Sequence, residues 1–354
     1  MKISAPIVRL TLISLLVLVS ATNIGAENNS EQKAENSSYN PTPDILHHIL
    51  DSYEWHLWGK VSIPLPVILY TEGNWDIFMS SKFHHGDSIV NKGEGDRLYK
   101  MAHHPEDSNK EIIVEEKGKK IINLSITKNV ASMLLSTLML LFLLGKVSRS
   151  YKRKKEAPRG LQSFLEPIIL FVREDIIKSN IGPKHEKYTM FLLTVFFFIL
   201  INNLLGLTPG AANVTGNISV TFVLSMFTFV IITLSANKGY WKHLINPPGT
   251  PLALLPIMIP IEIFGVFTKP FALMIRLFAN ITAGHIIIFS LISLIFVASD
   301  NGVNAGAGWA VAPMSVLFVL FIFLIEILVA FLQAYIFTLL SAVFIGLAVK
   351  EENH

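Results

Sequence analysis

Seven polar residues interrupt two long apolar stretches near the C-terminus, and these side chains are the ones most able to do chemistry. In sequence order they are Glu262, Lys269, Arg276, Asn280, His285, Glu326 and Gln333. The first five lie within 252–299 and the other two within 309–349. An ionisable group deep in a bilayer costs about 3 kcal/mol or more. If these stretches lie in a membrane, each ionisable member is therefore a candidate functional residue.

Arg276 is the most informative of them, because six apolar residues precede it and three follow it. Its side chain cannot easily reach water from there, and a guanidinium stays protonated at any ordinary pH. A permanent cation inside a membrane needs an anionic partner. Since only Glu262 and Glu326 lie at comparable depth, the partner is one of these or belongs to another subunit.

Helical spacing places the neighbours of Arg276 on defined faces. Asn280 comes four residues later and shares its face. His285 comes nine residues later, which is about 13.5 Å along the axis and near the opposite face. Glu262 precedes Arg276 by fourteen residues, roughly back on the same face and about 21 Å away.

The second apolar stretch has a polar stripe of its own, because Glu326 and Gln333 are seven residues apart. Histidine is the side chain whose unperturbed pKa suits proton exchange near neutrality. An imidazole at His285 and a carboxylate at Glu326, both displaced from a fixed cation, therefore suit the stepwise transfer of a proton.

Membrane helices are the elements that must position these residues. Of 354 residues, 51% are hydrophobic and 16% are charged, whereas a soluble domain carries nearer a quarter charged residues. We predict spans over 129–147, 188–207, 218–236, 252–299 and 309–349. The last two are at least twice the roughly 20 residues that a crossing needs, so each is a hairpin or a steeply tilted helix. Counted as one crossing each, they predict an all-α polytopic membrane protein with five crossings.

Loop charges predict the orientation. A basic cluster at 146–159 follows the first span and marks the cytoplasmic side. The segment 160–182 has helical periodicity but is too polar to span, so we predict an amphipathic helix on the cytoplasmic membrane surface. With five crossings, the N-terminus is then periplasmic and the C-terminus cytoplasmic. The small net charge of +3 gives no indication of nucleic-acid binding.

The N-terminal region has a different character. Residues 1–26 have the pattern of a secretory signal peptide, which a retained N-terminal anchor shares. Residues 27–125 are a predicted periplasmic extension whose β-like segments indicate a small, partly β module. Its histidines, at 47, 48, 56, 84, 85, 103 and 104, fit either zinc or copper binding or an ordinary surface, and their spacing matches no standard site. The chain has no cysteine, and we predict no metal and no cofactor.

Three motifs in the membrane region resemble a known family. The run RLFANITAGH at 276–285, with a KP pair six residues before its arginine, and LQAYIFTLLSAVFIGLAV at 332–349 look like the two signature helices of subunit a of F-type ATP synthases. The segment NLL at 203–205 resembles the family's early span. We therefore expect residues 126–352 to form a membrane domain of this family.

The resemblance implies a role for most of the candidate residues. Arg276 matches the essential arginine that faces the c-ring and attracts its ionised carboxylate. Gln333 matches the glutamine beside that arginine, and Asn280 matches the asparagine one turn along. His285 and Glu326 match two interacting positions of the outer half-channel, which in some bacterial members hold Glu and His in the reverse order.

Two points of the predicted proton path stay open. Gly206 stands where some members carry an acidic residue, which leaves the entry route undefined there. Glu262 and Lys269 fit either proton conduction or a supporting role.

The family implies a non-catalytic, proton-translocating stator subunit of the bacterial inner membrane. Its expected partners are the c-ring, the peripheral-stalk subunit b and membrane lipids, without nucleic acid. The sequence contains no GxxxxGK[ST] phosphate loop. One alternative is a secondary cation or proton transporter that uses Arg276, His285 and Glu326 as its site, although the halves show no internal repeat. An intramembrane metalloenzyme is a third possibility, but the sequence has no HExxH motif.

Overall fold

The computed structural model describes residues 41–42, 50–58, 61–83, 89–91, 97–104, 107–116, 118–153, 160–208, 212–245 and 254–350. The predicted signal peptide at 1–26 lies outside the described residues. So do four of the N-terminal histidines, at 47, 48, 84 and 85.

The N-terminal module is built of antiparallel strands, as its β-like composition predicts. They are β1 (Glu54–Trp58), β2 (Val61–Pro64), β3 (Pro66–Thr71), β4 (Asn74–Met79), β5 (Ile89–Asn91), β6 (Arg97–His104), β7 (Asp107–Glu115) and β8 (Ile121–Asn123). β1 pairs with β2, β3 lies between β4 and β8, and β6 lies between β5 and β7. Alternate residues of β3 are buried, so one face of its sheet contributes to a small core that includes Val67 and Leu69.

A buried polar cluster joins the two three-stranded sheets of this module. Arg97 on β6 forms an ion pair of 2.8 Å with Asp76 on β4. The Tyr99 hydroxyl donates to the same Asp76 oxygen at 2.6 Å and lies 3.1 Å from the Thr71 hydroxyl. Burial and the hydrogen bond to Asp76 raise the pKa of Tyr99. The cation and the anion of this cluster are therefore neutralised within the module itself.

Helices make up the rest of the described chain. They are α1 (Lys128–Arg153), α2 (Leu161–Leu170), α3 (Glu186–Gly206), α4 (Ile218–Ser235), α5 (Lys238–Ile245), α6 (Leu255–Ala298) and α7 (Ala305–Val349). Five of them, α1, α3, α4, α6 and α7, are long and apolar enough to cross a membrane. The predicted all-α polytopic fold with five crossings is confirmed. The segment between the third and fourth spans, for which the sequence predicted no helix, contains the short helix α5.

The last two membrane helices are continuous, which excludes the hairpin alternative. α6 has 44 residues and α7 has 45, so each is about 66 Å long at 1.5 Å per residue. A bilayer core is about 30 Å thick, and such helices must tilt or extend beyond it. They pack along each other, and α7 also packs against α3 while α6 packs against α4.

The predicted surface helix begins with α2 and continues through a π-helical segment, Phe171–Lys178, into a last turn at Ser179–Ile181. It is amphipathic, because Val172, Ile176 and Ile177 are buried while Glu174 pairs with Lys178 on the exposed side. The lack of a side chain at Gly346 lets α7 approach the backbone carbonyl of Asn180 closely. The surface helix is thereby fixed against the end of the longest helix.

Candidate functional site

Arg276 lies on the exposed face of α6. The neighbouring residues Leu273, Leu277 and Ile281 are buried and form the face that packs into the protein. Arg276 and Asn280 are both exposed, one turn apart on the other face. Among the residues that the structure describes, none forms an ion pair with Arg276. Neither Glu262 nor Glu326, the two carboxylates that the sequence left open as partners, forms an ion pair with this cation in the structure.

Glu326 occupies the opposite kind of environment, in the contact between α6 and α7. It is 5% exposed, and its Oε2 atom has no hydrogen-bond partner within the described residues. Its carboxylate lies directly against the backbone of Gly284, where a Cβ atom would overlap Oε1. Only a glycine at position 284 leaves room for this carboxylate.

His285 is half-buried next to that contact. Its Nε2 atom is buried and has no hydrogen-bond partner in the described part of the chain. The same atom lies 3.9 Å from the position that a Cβ atom of Gly206 would take. The position at which the sequence departs from the family pattern therefore faces the imidazole, and the structure brings His285, Gly206, Gly284 and Glu326 together. No hydrogen bond joins His285 to Glu326 in this arrangement.

Neutral polar groups surround this contact, and the sequence analysis did not single out most of them. Asn203 on α3 donates to the Ala330 carbonyl of α7 at 3.2 Å and accepts from the Thr215 hydroxyl at 2.7 Å. The Thr282 hydroxyl of α6 lies 3.5 Å from the Gly216 carbonyl. These bonds tie the segment between α3 and α4 to the helices that carry His285 and Glu326. The uncharged sequence NVTGN at 213–217 was the available signal.

Gln333 is buried on α7, on the stripe that also carries Glu326. No hydrogen bond joins it to Arg276, which points away from the described chain. The structure therefore separates the exposed pair Arg276 and Asn280 from the buried pair Glu326 and Gln333.

Glu262 and Lys269 belong to a second polar group, nearer the start of α6. Both are partly buried, and the Lys269 ammonium lies 5.1 Å from the centre of the Phe344 ring. Lys269 lines a small cavity together with Ser225, Thr228 and Tyr240. Burial and, to a lesser extent, the Glu262 charge raise the pKa of Tyr240 on α5. The two residues that sequence reasoning left without a definite role thus lie near each other.

The described residues contain no group of three histidine, aspartate or glutamate side chains that could hold a metal ion. His56 lies on β1, and His103 and His104 lie at the end of β6. That the protein holds no metal and no cofactor stays a prediction.

Two parts of the chain match known protein families. A family model described as ATP synthase A chain matches residues 130–346, and a model described as a domain of unknown function matches residues 44–130. ATP synthase subunit a of Chlorobium phaeobacteroides is 50% identical over 277 residues, covering 74% of this chain and 79% of that protein. The subunit of Chloroherpeton thalassium is 48% identical over 239 residues, covering 66% and 69%. That of Myxococcus xanthus is 45% identical over 243 residues, covering 66% and 76%.

Proposed function

The chain belongs to the ATP synthase A chain family, and we propose that it is the stator subunit of the proton channel, with two aqueous half-channels that serve the carboxylates of a c-ring. It is a multi-pass membrane protein of the ATP synthase complex, and it takes part in proton transport and ATP synthesis. The single observation that best supports the finer proposal is that Arg276 is exposed on a membrane helix and has no ion pair among the described residues.

Arg276 provides the fixed charge of the mechanism. A cation in a low-dielectric environment favours the ionised form of a carboxylate brought next to it. A c-ring site that reaches Arg276 therefore gives up its proton, and it can take another only after moving away. Because the guanidinium cannot itself lose a proton, it also blocks direct leakage between the two half-channels. Asn280, one turn along on the same exposed face, and the buried Gln333 support this region of contact.

His285 and Glu326 carry the proton through the outer half-channel. Both have a buried atom without a hydrogen-bond partner in the described chain, so each can accept a proton or bind a water there. The missing side chain at Gly206 leaves space beside the imidazole. A proton that enters from the outer side passes through this group before it reaches the c-ring.

Glu262 belongs to the inner half-channel in this proposal. It lies on the part of α6 that precedes Arg276, near Lys269 and Tyr240. A proton released by the c-ring on that side leaves past this carboxylate into the cytoplasm. Each 100 mV across the membrane supplies about 2.3 kcal/mol per proton, and rotation transmits that energy to the catalytic subunits. The chain itself catalyses no reaction.

The remaining proposals concern assembly and location. The partners are the c-ring, the peripheral-stalk subunit b and membrane lipids, and the complex lies in a bacterial inner membrane with a cytoplasmic C-terminus. Residues 1–26 are proposed as a signal peptide, 27–125 as a periplasmic extension and 126–352 as the membrane domain. The alternative of a secondary transporter is not pursued, because the chain belongs to the ATP synthase A chain family.

Replacement of the arginine tests the proposal. We expect Arg276→Ala to lower proton-driven ATP synthesis in membrane vesicles by at least about 100-fold, because loss of one preorganised charge commonly costs that much. Arg173→Ala is the matched control, since Arg173 is an exposed cation on the surface helix outside the membrane spans. Co-purification with the c-ring shows whether the variant assembles. An assembled Arg276→Ala complex with ordinary synthesis rates contradicts the proposal.

A further inference from the structure

Residues of the N-terminal module form hydrogen bonds with the first turn of α1. The Lys128 backbone N–H donates to the Ser52 carbonyl at 2.9 Å, and the Asn129 N–H donates to the Asp51 carboxylate at 3.0 Å. The Lys128 ammonium donates to the Leu50 carbonyl, also at 2.9 Å. The first N–H groups of a helix have no partner within the helix, and an anion near them is favourable. A segment almost eighty residues away in sequence therefore caps this membrane helix.

The helix that the module caps has one polar face. Asn129, Ser132 and Ser136 are all buried and follow one another at helical spacing. On the other side of the same turns, Leu134 is 49% exposed and Leu138 is 65% exposed. Since α1 packs against α3, the polar face is turned toward the protein and the leucine face toward lipid. The Ser136 hydroxyl donates to the Met133 carbonyl of the same helix at 2.9 Å, and its oxygen can still accept a hydrogen bond from a water.

Unpartnered polar atoms connect this face to the candidate site. Within the described residues, buried atoms without a hydrogen-bond partner include Thr127 Oγ1, Asn129 Oδ1, Asn202 Oδ1, Asn213 Nδ2, His285 Nε2 and Glu326 Oε2. They lie at the start of α1, near the end of α3, in the segment that follows α3, and on α6 and α7. A buried polar atom left without a partner costs about 1–3 kcal/mol, and an ordered water is the usual way to satisfy it.

The order of the spans places these groups at one end of the bundle. Because α1 and α3 are successive membrane spans that pack against each other, the start of α1 and the end of α3 lie at the same end. Gly206, the last residue of α3, lies against the His285 ring. The module end of α1 and the His285 group are therefore at the same end of the helix bundle.

We propose that the N-terminal module forms the mouth of the outer half-channel, and that water reaches His285 along the Asn129, Ser132 and Ser136 face of α1. Asp51 is a positioning residue in this arrangement. It holds the first turn of α1 so that the polar face stays turned toward α3, and its charge offsets that of Lys128 at the entrance. This inference rests on the proposed function, and it gives a role to the region that matches a domain of unknown function.

Single cysteines test the route, because the natural chain contains none. In the assembled complex we compare Ser132→Cys and Ser136→Cys with the matched variants Leu134→Cys and Leu138→Cys on the lipid face of the same helix. Silver ions react with thiolates, which form in water and not in lipid. We expect silver to inhibit ATP-driven proton pumping at least about tenfold more strongly in the two serine-derived variants, since thiolate formation decides reactivity.

The outcomes separate this inference from the proposed function. If the serine-derived cysteines react no faster than the leucine-derived ones while Arg276→Ala is inactive, the α1 route is wrong and the channel function stands. If Arg276→Ala remains active, the proposed function itself fails, whatever the silver reactivity.

A second comparison tests Asp51. We combine Ser132→Cys or Leu134→Cys with Asp51→Ala, which removes the cap, or with Asp51→Asn, which keeps an acceptor oxygen for the Asn129 N–H. We expect the difference in silver reactivity between the two cysteine positions to fall to within about threefold with Asp51→Ala, because an uncapped helix end frays. Asp51→Asn should retain most of the difference. An unchanged difference with Asp51→Ala overturns the positioning role.

Discussion

Two arginines in this chain have opposite surroundings, and the contrast separates a charge that stabilises the fold from one that we propose acts on a partner. Arg97 in the N-terminal module is 9% exposed and pairs at 2.8 Å with Asp76, which also accepts from Tyr99. Arg276 lies on the outer face of a membrane helix and has no ion pair among the described residues. A charge that stabilises a fold is neutralised within that fold. A charge that must act on a moving partner is left available for it.

The same contrast holds for the groups around these arginines. In the module, the hydroxyl of Tyr99 has both Asp76 and Thr71 within hydrogen-bond distance. In the membrane domain, His285 Nε2 and Glu326 Oε2 are buried without partners in the described chain. Because unpaired buried polar atoms are costly, their presence at these two residues supports the proposal that both bind water or protons.

The largest expected effect comes from closing the space around Glu326. Gly284→Val places a Cβ atom where the Glu326 carboxylate now lies, so the carboxylate has to move. We expect proton pumping to fall by about 100-fold or more, since a displacement of about 1 Å at a reacting group can already cost that much. Gly265→Ala is the control. Gly265 lies on the same helix as Gly284, and a Cβ atom there would have no neighbouring atom within 4 Å. Pumping near the parent rate in an assembled Gly284→Val complex would show that the buried carboxylate has no part in proton transfer.

A smaller effect is expected when the imidazole is removed. His285→Ala takes away a titratable group but leaves Glu326 and any water beside it, so proton entry becomes slower. General acid–base groups commonly contribute 10²-fold or more, and with water as a substitute we expect a loss of about tenfold in ATP synthesis. ATP hydrolysis should remain coupled to pumping. Uncoupled hydrolysis in this variant would mean that His285 maintains a barrier and does not carry protons.

The membrane fold could be predicted from sequence because hydropathy and length are local properties. The spans needed only runs of about 20 apolar residues, and polar or charged loops separated them. Whether α6 and α7 were hairpins was not predictable, since both alternatives have the same composition. The short helix α5 was missed because its three basic residues are typical of a loop.

The candidate site was predicted only in part, for a related reason. Helical spacing identified Arg276, Asn280 and His285 as residues on defined faces of one helix. It could not show that Gly206 faces His285 or that Gly284 makes room for Glu326, because these contacts join helices far apart in sequence. A glycine in the sequence does not show which side chain of another helix lies in the space beside it.

Within the module, Asp76→Ala should have a structural effect that Arg276→Ala does not have. It leaves the Arg97 guanidinium buried without its anion, which is strongly destabilising. We expect the midpoint of thermal unfolding of the module to fall by about 10 °C or more, measured by limited proteolysis in the intact complex. Glu72→Ala is the control, since the Glu72 carboxylate pairs with Lys119 on the surface. An unchanged unfolding temperature in the Asp76→Ala variant would show that the ion pair between Arg97 and Asp76 does not stabilise the module.

The smallest effect is expected at Tyr99. Tyr99→Phe removes one hydrogen bond to Asp76 and should cost about 1 kcal/mol of module stability at neutral pH. The pKa of Tyr99 is raised by burial and by Asp76, so in alkaline solution the unfolded chain loses this proton before the folded module does. The Tyr99 contribution to stability is therefore constant below pH of about 10 and declines as the pH rises above it.

The phenylalanine variant lacks that ionisation, so the difference between parent and variant should shrink above pH of about 10. Urea unfolding can be followed by a fluorophore on a single cysteine at the exposed Ile77 position, because the chain has no other thiol. Tyr70→Phe controls for general effects of alkali, since Tyr70 lies on β3 of the same module and its hydroxyl is not part of the cluster around Asp76. A difference between parent and Tyr99→Phe that stays constant with pH would mean that Tyr99 does not share a buried, saturated cluster with Arg97. Arg97 could then no longer serve as the fully paired arginine with which Arg276, without an ion pair among the described residues, is compared.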